Sequence, residues 1–154
     1  RVDGRAAGRR AALSAVPIVT FHLTDGVNTS EAMQRLLVTA RPLSATAMAS
    51  PIERVRAFVD LHPAGLVAVA GELVSETPRN APYFEFLVLA GRPREQRHDL
   101  MRRFTDLLVD VLGAPRELVR GKAIVLDPDD WAIAGEPASV RRASEIAARA
   151  GTGA

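Results

Sequence analysis

The feature that most constrains this chain is an internal repeat. The segment PIVTFHLTDG (17–26) has a counterpart in PYFEFLVLAG (82–91), and each is a proline, an apolar β-rich run and a closing glycine. Further on, SPIERVRAFV (50–59) matches APRELVRGKA (114–123), and VAVAGELVS (67–75) matches WAIAGEPAS (131–139). Copies this short predict one duplicated supersecondary unit that shares a single core.

The middle of the second copy has the periodicity of a helix. Apolar residues recur there at three and four positions, at Leu100, Phe104, Leu107, Leu108 and Val111. This spacing predicts an amphipathic helix over about 94–112. Gly113 follows as the expected terminator, because glycine readily adopts the left-handed conformation that ends helices.

The first copy predicts a matching but less regular helix. Thr29 or Ser30 caps its beginning, and the apolar pattern continues to about Ala49. Pro42 lies inside this span and lacks the amide hydrogen that a helix interior requires. We therefore expect a kink or an early end near Ala40.

Each helix is followed by a second apolar run, at 55–61 and 121–127. A strand, a helix and a strand in so few residues predict a right-handed parallel crossover. The predicted fold class is α/β (α+β): two tandem β-α-β units form a four-stranded sheet with both helices on one face. The other face is expected to be apolar and uncovered, which favours assembly of several chains into a ring.

This organisation divides the chain into five parts. We expect a tail at 1–16, a first unit at 17–75, a linker at 76–81, a second unit at 82–139 and a tail at 140–154. The net charge of +2 arises from the tails, since residues 1–16 carry four arginines against one aspartate and residues 140–154 carry three arginines against one glutamate. No basic face of the body is therefore expected, and nucleic acid is not a predicted partner.

Several chemistries are disfavoured by composition. The chain has no cysteine, which excludes disulfides and thiolate sites and favours a cytoplasmic location. No apolar run approaches the roughly 20 residues of a membrane helix, so no membrane partner is expected. His22, His62 and His98 match no metal-ligand spacing and are not expected to cluster, so we predict no metal ligands and no cofactor.

In order and spacing, these motifs resemble the tautomerase superfamily, in particular a fused, two-copy 4-oxalocrotonate tautomerase. The resemblance implies an isomerase, assembled as a homotrimer, whose N-terminal proline is a general base for keto-enol proton transfer on a small 2-keto or 2-hydroxy-dienoic acid. The base must be an amine, because an amide nitrogen is not basic. Apolar surroundings and nearby arginines lower the pKa of such an amine and so favour its neutral form. Pro17 matches this proline, whereas Pro82 is internal.

The resemblance also implies a set of substrate-binding residues. Arg92 and Arg120 match the two arginines of the family in the second copy. In the first copy, Arg56 matches one of them and the other position is Val27. The pocket aromatic corresponds to Trp131, which is equally well explained as a core side chain. We therefore expect a composite pocket in which Pro17 faces Arg92, Arg120 and Trp131, with Arg56 as a further candidate.

Sixteen residues precede Pro17, and an attached segment would convert its amine into an amide. If Val16 marks a start codon read as methionine, removal of that methionine would leave Pro17 first. Two alternatives stay open: a catalytically silent trimeric scaffold or binding protein of the same fold, and a dehalogenase or hydratase of the same superfamily. The latter requires a carboxylate to activate water, and none is evident at 67–69 or 131–133.

Overall fold

Each copy of the repeat folds into a strand, a helix, a strand and a short hairpin. The computed structural model describes residues 18–48, 52–141 and 143. The first copy comprises β1 (Ile18–Thr24), α1 (Ser30–Met48), β2 (Arg56–His62), β3 (Ala68–Val69) and β4 (Glu72–Leu73). The second comprises β5 (Tyr83–Leu89), α2 (Arg94–Leu112), β6 (Arg120–Leu126), β7 (Ala132–Ile133) and β8 (Glu136–Pro137).

The four long strands form one sheet in the order β2-β1-β5-β6. The outer pairs are parallel, as the β-α-β prediction requires, and the central β1-β5 pair that joins the copies is antiparallel. Ile18 therefore pairs with Arg56 on one side and with Leu87 on the other. The beginning of the first copy consequently lies beside the end of β5.

The core lies between the sheet and the two helices, which confirms the predicted fold class. Alternate residues of β1 and β5 point inward, and the largest buried side chains are Phe21, Phe84, Phe86 and Phe104. The Phe104 ring of α2 lies 5.5–5.9 Å from the other three ring centroids. Gly121 of β6 leaves room for Phe84, since a Cβ atom there would be 2.1 Å from Phe84 Cζ.

The helix ends follow the predicted chemistry. Thr29 is the cap of α1, because its Oγ1 accepts the backbone N–H of Ala32 at 3.1 Å. Helix α2 spans the predicted residues, and Gly113 ends it with a φ of 64°. The Gly113 N–H donates to Val109 O, which is the hydrogen bond of an αL capping motif, and the Ala114 N–H donates to Leu108 O.

The prediction that α1 ends early was wrong. The helix continues through Pro42 to Met48. Proline removes the bond to the carbonyl of Val38, and Val38 is 73% exposed, so water can solvate that carbonyl. Beyond the proline, Ser44 Oγ donates to the carbonyl of Ala40 at 2.8 Å within the core.

Neither α1 nor α2 covers the second face of the sheet, as expected. This face is not uniformly apolar, so that part of the prediction was wrong. Phe58 is 51% exposed there. Tyr83 Oη donates to Glu85 Oε1 at 2.8 Å, and Lys122 Nζ lies 3.3 Å from the same oxygen. Burial, and next the bond to Glu85, raises the pKa of the Tyr83 hydroxyl, while that hydroxyl lowers the pKa of the Glu85 carboxyl. Alternation along a strand thus places polar groups on this face.

The two hairpins turn with the same geometry. Ala70 and Gly71 both have positive φ, and so do Ala134 and Gly135, which is the pattern of a type I′ turn. The second hairpin covers one end of the open face, where Leu89 and Ala138 form a small cluster with Ile18, Leu126, Trp131 and Ile133. No helix in the described part of the chain combines the length and apolar character needed to cross a membrane.

Candidate active site

A cavity of about 360 Å³ opens where β1 begins. Its lining combines apolar, aromatic and charged side chains, namely Ile18, Glu53, Arg54, Arg56, Trp131, Ala132, Ile133, Ala134 and Arg141. The volume lies in the range of small-molecule sites, and the mixture of an apolar wall with a few charged groups is typical of them. We therefore treat it as the candidate active site.

The sheet register places the first-copy residues at this cavity. Arg56 opens β2 and pairs with Ile18 in parallel register. Arg54 and Glu53 belong to the 3₁₀ turn that immediately precedes β2. The first copy therefore contributes the apolar start of its first strand and the charged approach to its second.

The second copy supplies the opposite wall. Trp131 follows a 3₁₀ turn (Pro128–Asp130), and the side chain of Asp127 accepts the backbone N–H of Asp129 at 2.9 Å. The carbonyl of Trp131 accepts the N–H of Ala138 at 2.7 Å, which holds the backbone of Trp131 beside the hairpin. The acidic stretch 127–130 is thus a capped turn that leads directly into Trp131.

Charge at the cavity favours an anion. Among the described residues that line it, three carry guanidinium groups (Arg54, Arg56 and Arg141) and one, Glu53, carries a carboxylate. Arg141 Nη1 also lies 3.8 Å from Glu136 Oε2. Guanidinium groups bind carboxylates in a planar, two-pronged geometry, so this arrangement suits a small carboxylic acid whose remaining atoms contact Trp131 and Ile133.

Of the residues that the sequence singled out, the structure brings Arg56 and Trp131 together at this cavity. Trp131 has both of its predicted roles, since it lines the cavity and packs in the small cluster around Leu89. Pro17 lies outside the described residues. The next residue, Ile18, is the first residue of β1 and is part of the cavity lining, so the cavity lies at the end of the sheet where β1 begins.

Arg92 and Arg120 do not line this cavity in a single chain. Arg92 lies at the same end of the sheet but is buried where α2 begins, and its Nη1 donates to Gln96 Oε1 at 2.9 Å. Arg120 opens β6 beside Tyr83, at the far end of the sheet. Since β6 is seven residues long, its ends lie about 20 Å apart at roughly 3.3 Å per residue.

Sequence reasoning missed Arg54 and Arg141 as cavity residues. Arg54 stands two positions before Arg56 within a segment that the repeat had already aligned, but its counterpart in the second copy is Leu118, so the repeat gave no signal. Arg141 follows the last repeat motif and was assigned to the tail. Both reach the cavity through tertiary packing between the copies.

The expectation that the histidines do not cluster was wrong for two of them. His22 Nδ1 lies 2.9 Å from His62 Nε2, and Asp60 Oδ2 lies 3.6 Å from the former and 3.9 Å from the latter. They are far apart in sequence but occupy neighbouring strands. His98 lies exposed on α2.

Comparison with known proteins supports an assignment at the level of family and fold. Residues 82–141 match the family model described as tautomerase enzyme. Over 62 residues the chain is 36% identical to 2-hydroxymuconate tautomerase of Pseudomonas sp. (strain CF600), covering 40% of this chain and 98% of that protein.

Solved structures resemble nearly the whole described body. A native fused 4-OT superposes with a TM-score of 0.75 at 23% identity, covering 80% of this chain and 98% of that one. A fused 4-OT solved as a symmetric trimer superposes with a TM-score of 0.73 at 24% identity, covering 81% of this chain and 98% of that one. At these identities the likeness shows the shared fold.

Proposed function

The chain belongs to the tautomerase superfamily, and on that premise we propose that it is an isomerase for keto-enol proton transfer on a small 2-keto or 2-hydroxy-dienoic acid. The observation that carries this proposal is the cavity beside Ile18, where three guanidinium groups face an apolar wall. A small 2-keto acid has its carboxylate and its carbonyl oxygen on adjacent carbon atoms, so neighbouring guanidinium groups can bind both.

In the proposed reaction, the nitrogen of Pro17 is the base. Ile18, Trp131 and Ile133 exclude water, and the nearby guanidinium groups repel a second positive charge, so both disfavour the protonated amine. The neutral amine takes a proton from the substrate, and the guanidinium groups stabilise the negative oxygen that results. The protonated amine then returns the proton to a different atom of the acid, and no cofactor is consumed.

Arg56 is the proposed primary carboxylate ligand, because it lines the cavity and pairs with Ile18 in the sheet. Arg92 lies at the same end of the sheet but does not line the cavity of its own chain. Arg120 is about 20 Å away in its own chain at roughly 3.3 Å per residue. We therefore propose that Arg120 reaches the cavity of a neighbouring subunit in a homotrimer, an assembly that a structural neighbour adopts.

The direct test of the base is a comparison of three proteins. They are the full chain, a form that begins at Pro17, and a form that begins there but carries Pro17→Ala. Ketonisation of 2-hydroxymuconate or phenylpyruvate is followed by ultraviolet absorbance. The form that begins at Pro17 should be active, and the alanine variant should lose about 10²–10⁴-fold in kcat/KM, the usual contribution of a general base. Equal rates for these two forms would remove the proline from the mechanism.

The carboxylate site is tested by Arg56→Ala, with Arg41→Ala as the matched control because Arg41 is exposed on α1 away from the cavity lining. Hydrogen bonds to charged groups contribute about 1.5–3 kcal/mol, so KM should rise about 10- to 100-fold in the first variant. The control should retain the parent value. An unchanged KM in Arg56→Ala would contradict the assignment.

One observation keeps a second candidate open. Glu53 lines the cavity, so the structure supplies the carboxylate that a dehalogenase or hydratase of the same superfamily would need to activate water. Chloride release from a 3-chloroacrylate, and its loss in Glu53→Gln, would support this alternative. A full chain that remains inactive on both substrate types, with intact mass confirming the segment before Pro17 in the native host, would instead favour the silent scaffold.

A further inference from the structure

Three potential metal ligands meet on the open face of the sheet, away from the cavity. His22 projects from β1, and Asp60 and His62 project from β2. The atoms that face one another are His22 Nδ1, His62 Nε2 and Asp60 Oδ2, all within 4.8 Å of each other. Two ring nitrogens and one carboxylate oxygen are donor atoms that transition metals prefer.

The sheet register explains why these side chains meet. His22 pairs directly with Asp60, and Thr24 pairs with His62, so His62 is the diagonal neighbour of His22. Residues two apart on a strand share a face, and diagonal neighbours lie within reach of long side chains. The three side chains are 23%, 56% and 42% exposed for His22, Asp60 and His62, so an ion can approach from solvent.

The spacing fits a metal ion closely. Zinc–nitrogen bonds of about 2.0–2.1 Å place two ligand atoms about 2.9 Å apart at a right angle and about 3.3 Å apart in a tetrahedron. The two ring nitrogens are 2.9 Å apart. The carboxylate oxygen, at 3.6 and 3.9 Å, needs to move only a few tenths of an ångström, and Asp60 is exposed enough to do so.

Neighbouring side chains hold the site in place. The Tyr83 ring stacks on the His22 ring with a centroid distance of 5.4 Å, which limits rotation of that imidazole. Glu85 carries a second carboxylate nearby, but Tyr83 Oη and Lys122 Nζ both contact it. The Glu85 carboxylate therefore adds a negative charge to the surroundings of the three ligands.

We propose that His22, Asp60 and His62 bind a divalent transition-metal ion, such as Zn²⁺, with the remaining coordination positions open to water or to a group from another subunit. Without metal, one of the two facing ring nitrogens carries the proton of the hydrogen bond between them. When the ion binds, this proton moves to the other nitrogen of the same ring, so both imidazoles coordinate in their neutral form and no proton is released. Two nitrogen ligands of three disfavour Mg²⁺ and Ca²⁺, which prefer oxygen.

This site is separate from the proposed catalytic cavity. His22 lies four residues along β1 from Ile18, about 13 Å away at roughly 3.3 Å per residue. None of the three residues lines the cavity. The metal is therefore proposed to stabilise the open face of the sheet, and its presence or absence is independent of whether Pro17 is a catalytic base.

The test is titration of the full, chelator-treated chain with Co²⁺, whose visible absorbance reports nitrogen coordination, and with Zn²⁺ by calorimetry. His62→Ala and Asp60→Asn are compared with His98→Ala, a control that removes an exposed histidine from α2. We expect one ion per chain in the parent and the control. Removal of a residue that only orients a ligand lowers metal affinity roughly 10- to 100-fold. The affinity of His62→Ala and Asp60→Asn for the ion should fall by more than this, because each variant loses a ligand.

Far-ultraviolet circular dichroism checks that each variant is folded, which is expected because both substituted side chains are about half exposed and lie outside the core. Absence of binding by the parent chain would overturn the proposal. Equal affinities in His62→Ala, Asp60→Asn and the parent would overturn it too, because the ion would then be held elsewhere. A rise in the thermal midpoint on addition of Zn²⁺, seen in the parent but not in His62→Ala, would support it.

Discussion

Replacement of Gly121 by alanine is a sharp test of how tightly the core of the second copy is packed. Gly121 and Phe84 are direct partners in the parallel β5-β6 pair. An added Cβ would lie 2.1 Å from Phe84 Cζ and 2.4 Å from Cε1 and Cε2, whereas ordinary contacts are 3.4–4 Å. The ring is 1% exposed and is packed against Phe86 and Phe104, so it has no empty space to enter.

The magnitude follows from this overlap of more than 1 Å. Overpacking of a core costs about 1–3 kcal/mol, and complete loss of a buried phenylalanine costs about 3–5 kcal/mol. We expect Gly121→Ala to lower the free energy of unfolding by about 2–4 kcal/mol, between those limits. For a chain of this size that corresponds to a fall of about 5–15 °C in Tm.

The assay is guanidinium denaturation followed by circular dichroism, at one fixed protein concentration because assembly affects apparent stability. Gly65→Ala is the matched control, since a Cβ there would meet no atom within 4 Å. Its stability should stay within about 0.5 kcal/mol of the parent. Phe84→Leu should cost less in the Gly121→Ala background than in the parent, because the smaller side chain relieves the clash. Equal midpoints for Gly121→Ala and Gly65→Ala would refute this reasoning.

Three further outcomes are expected. The Tyr83 hydroxyl lowers the pKa of the Glu85 carboxyl in the folded state. The contribution of this bond to the free energy of unfolding is therefore present above the ordinary carboxyl pKa and is lost as pH falls through the lowered value. Urea unfolding at several pH values below about 5 should therefore show a shallower decline for Glu85→Gln than for the parent, and identical slopes would contradict the assignment. Gly113→Ala should lower Tm by about 2–4 °C, since the left-handed φ of 64° costs an alanine about 1 kcal/mol; differential scanning calorimetry measures this, and an unchanged Tm would count against it. Trp131→Ala should lower both kcat/KM and Tm because the indole lines the cavity and packs against Leu89, whereas a variant with only one of these effects would show that one role was misassigned.

Local sequence signals predicted the elements of the fold well. The apolar spacing after Arg94 predicted α2 to its final residue, and Gly113 ends it as expected. The repeat predicted two β-α-β units in one sheet, and the structure confirms them. The early end of α1 expected near Ala40 was wrong. Pro42 removes one hydrogen bond, but the carbonyl that loses its partner lies on an exposed helix face, where water can solvate it.

The candidate site was only partly predictable. The family resemblance pointed to Arg56 and Trp131, and both line the cavity. Arg54 was missed because its counterpart in the second copy is Leu118, and Arg141 was missed because it follows the last repeat motif. The assignment of Pro17 as the base stays a prediction, and Arg120 lies at the far end of its own sheet, so its proposed role depends on a neighbouring chain.

The sequence by itself therefore determined which segments become strands and helices, since periodicity, caps and turn residues act over a few neighbouring positions. Only the tertiary structure decided what those segments bring together. The antiparallel junction of β1 with β5 places the start of β1 beside the end of β5. The parallel register of β1 with β2 places His22 beside Asp60 and His62. Such pairings depend on hydrogen bonds and packing between residues distant in the chain, which no local pattern records.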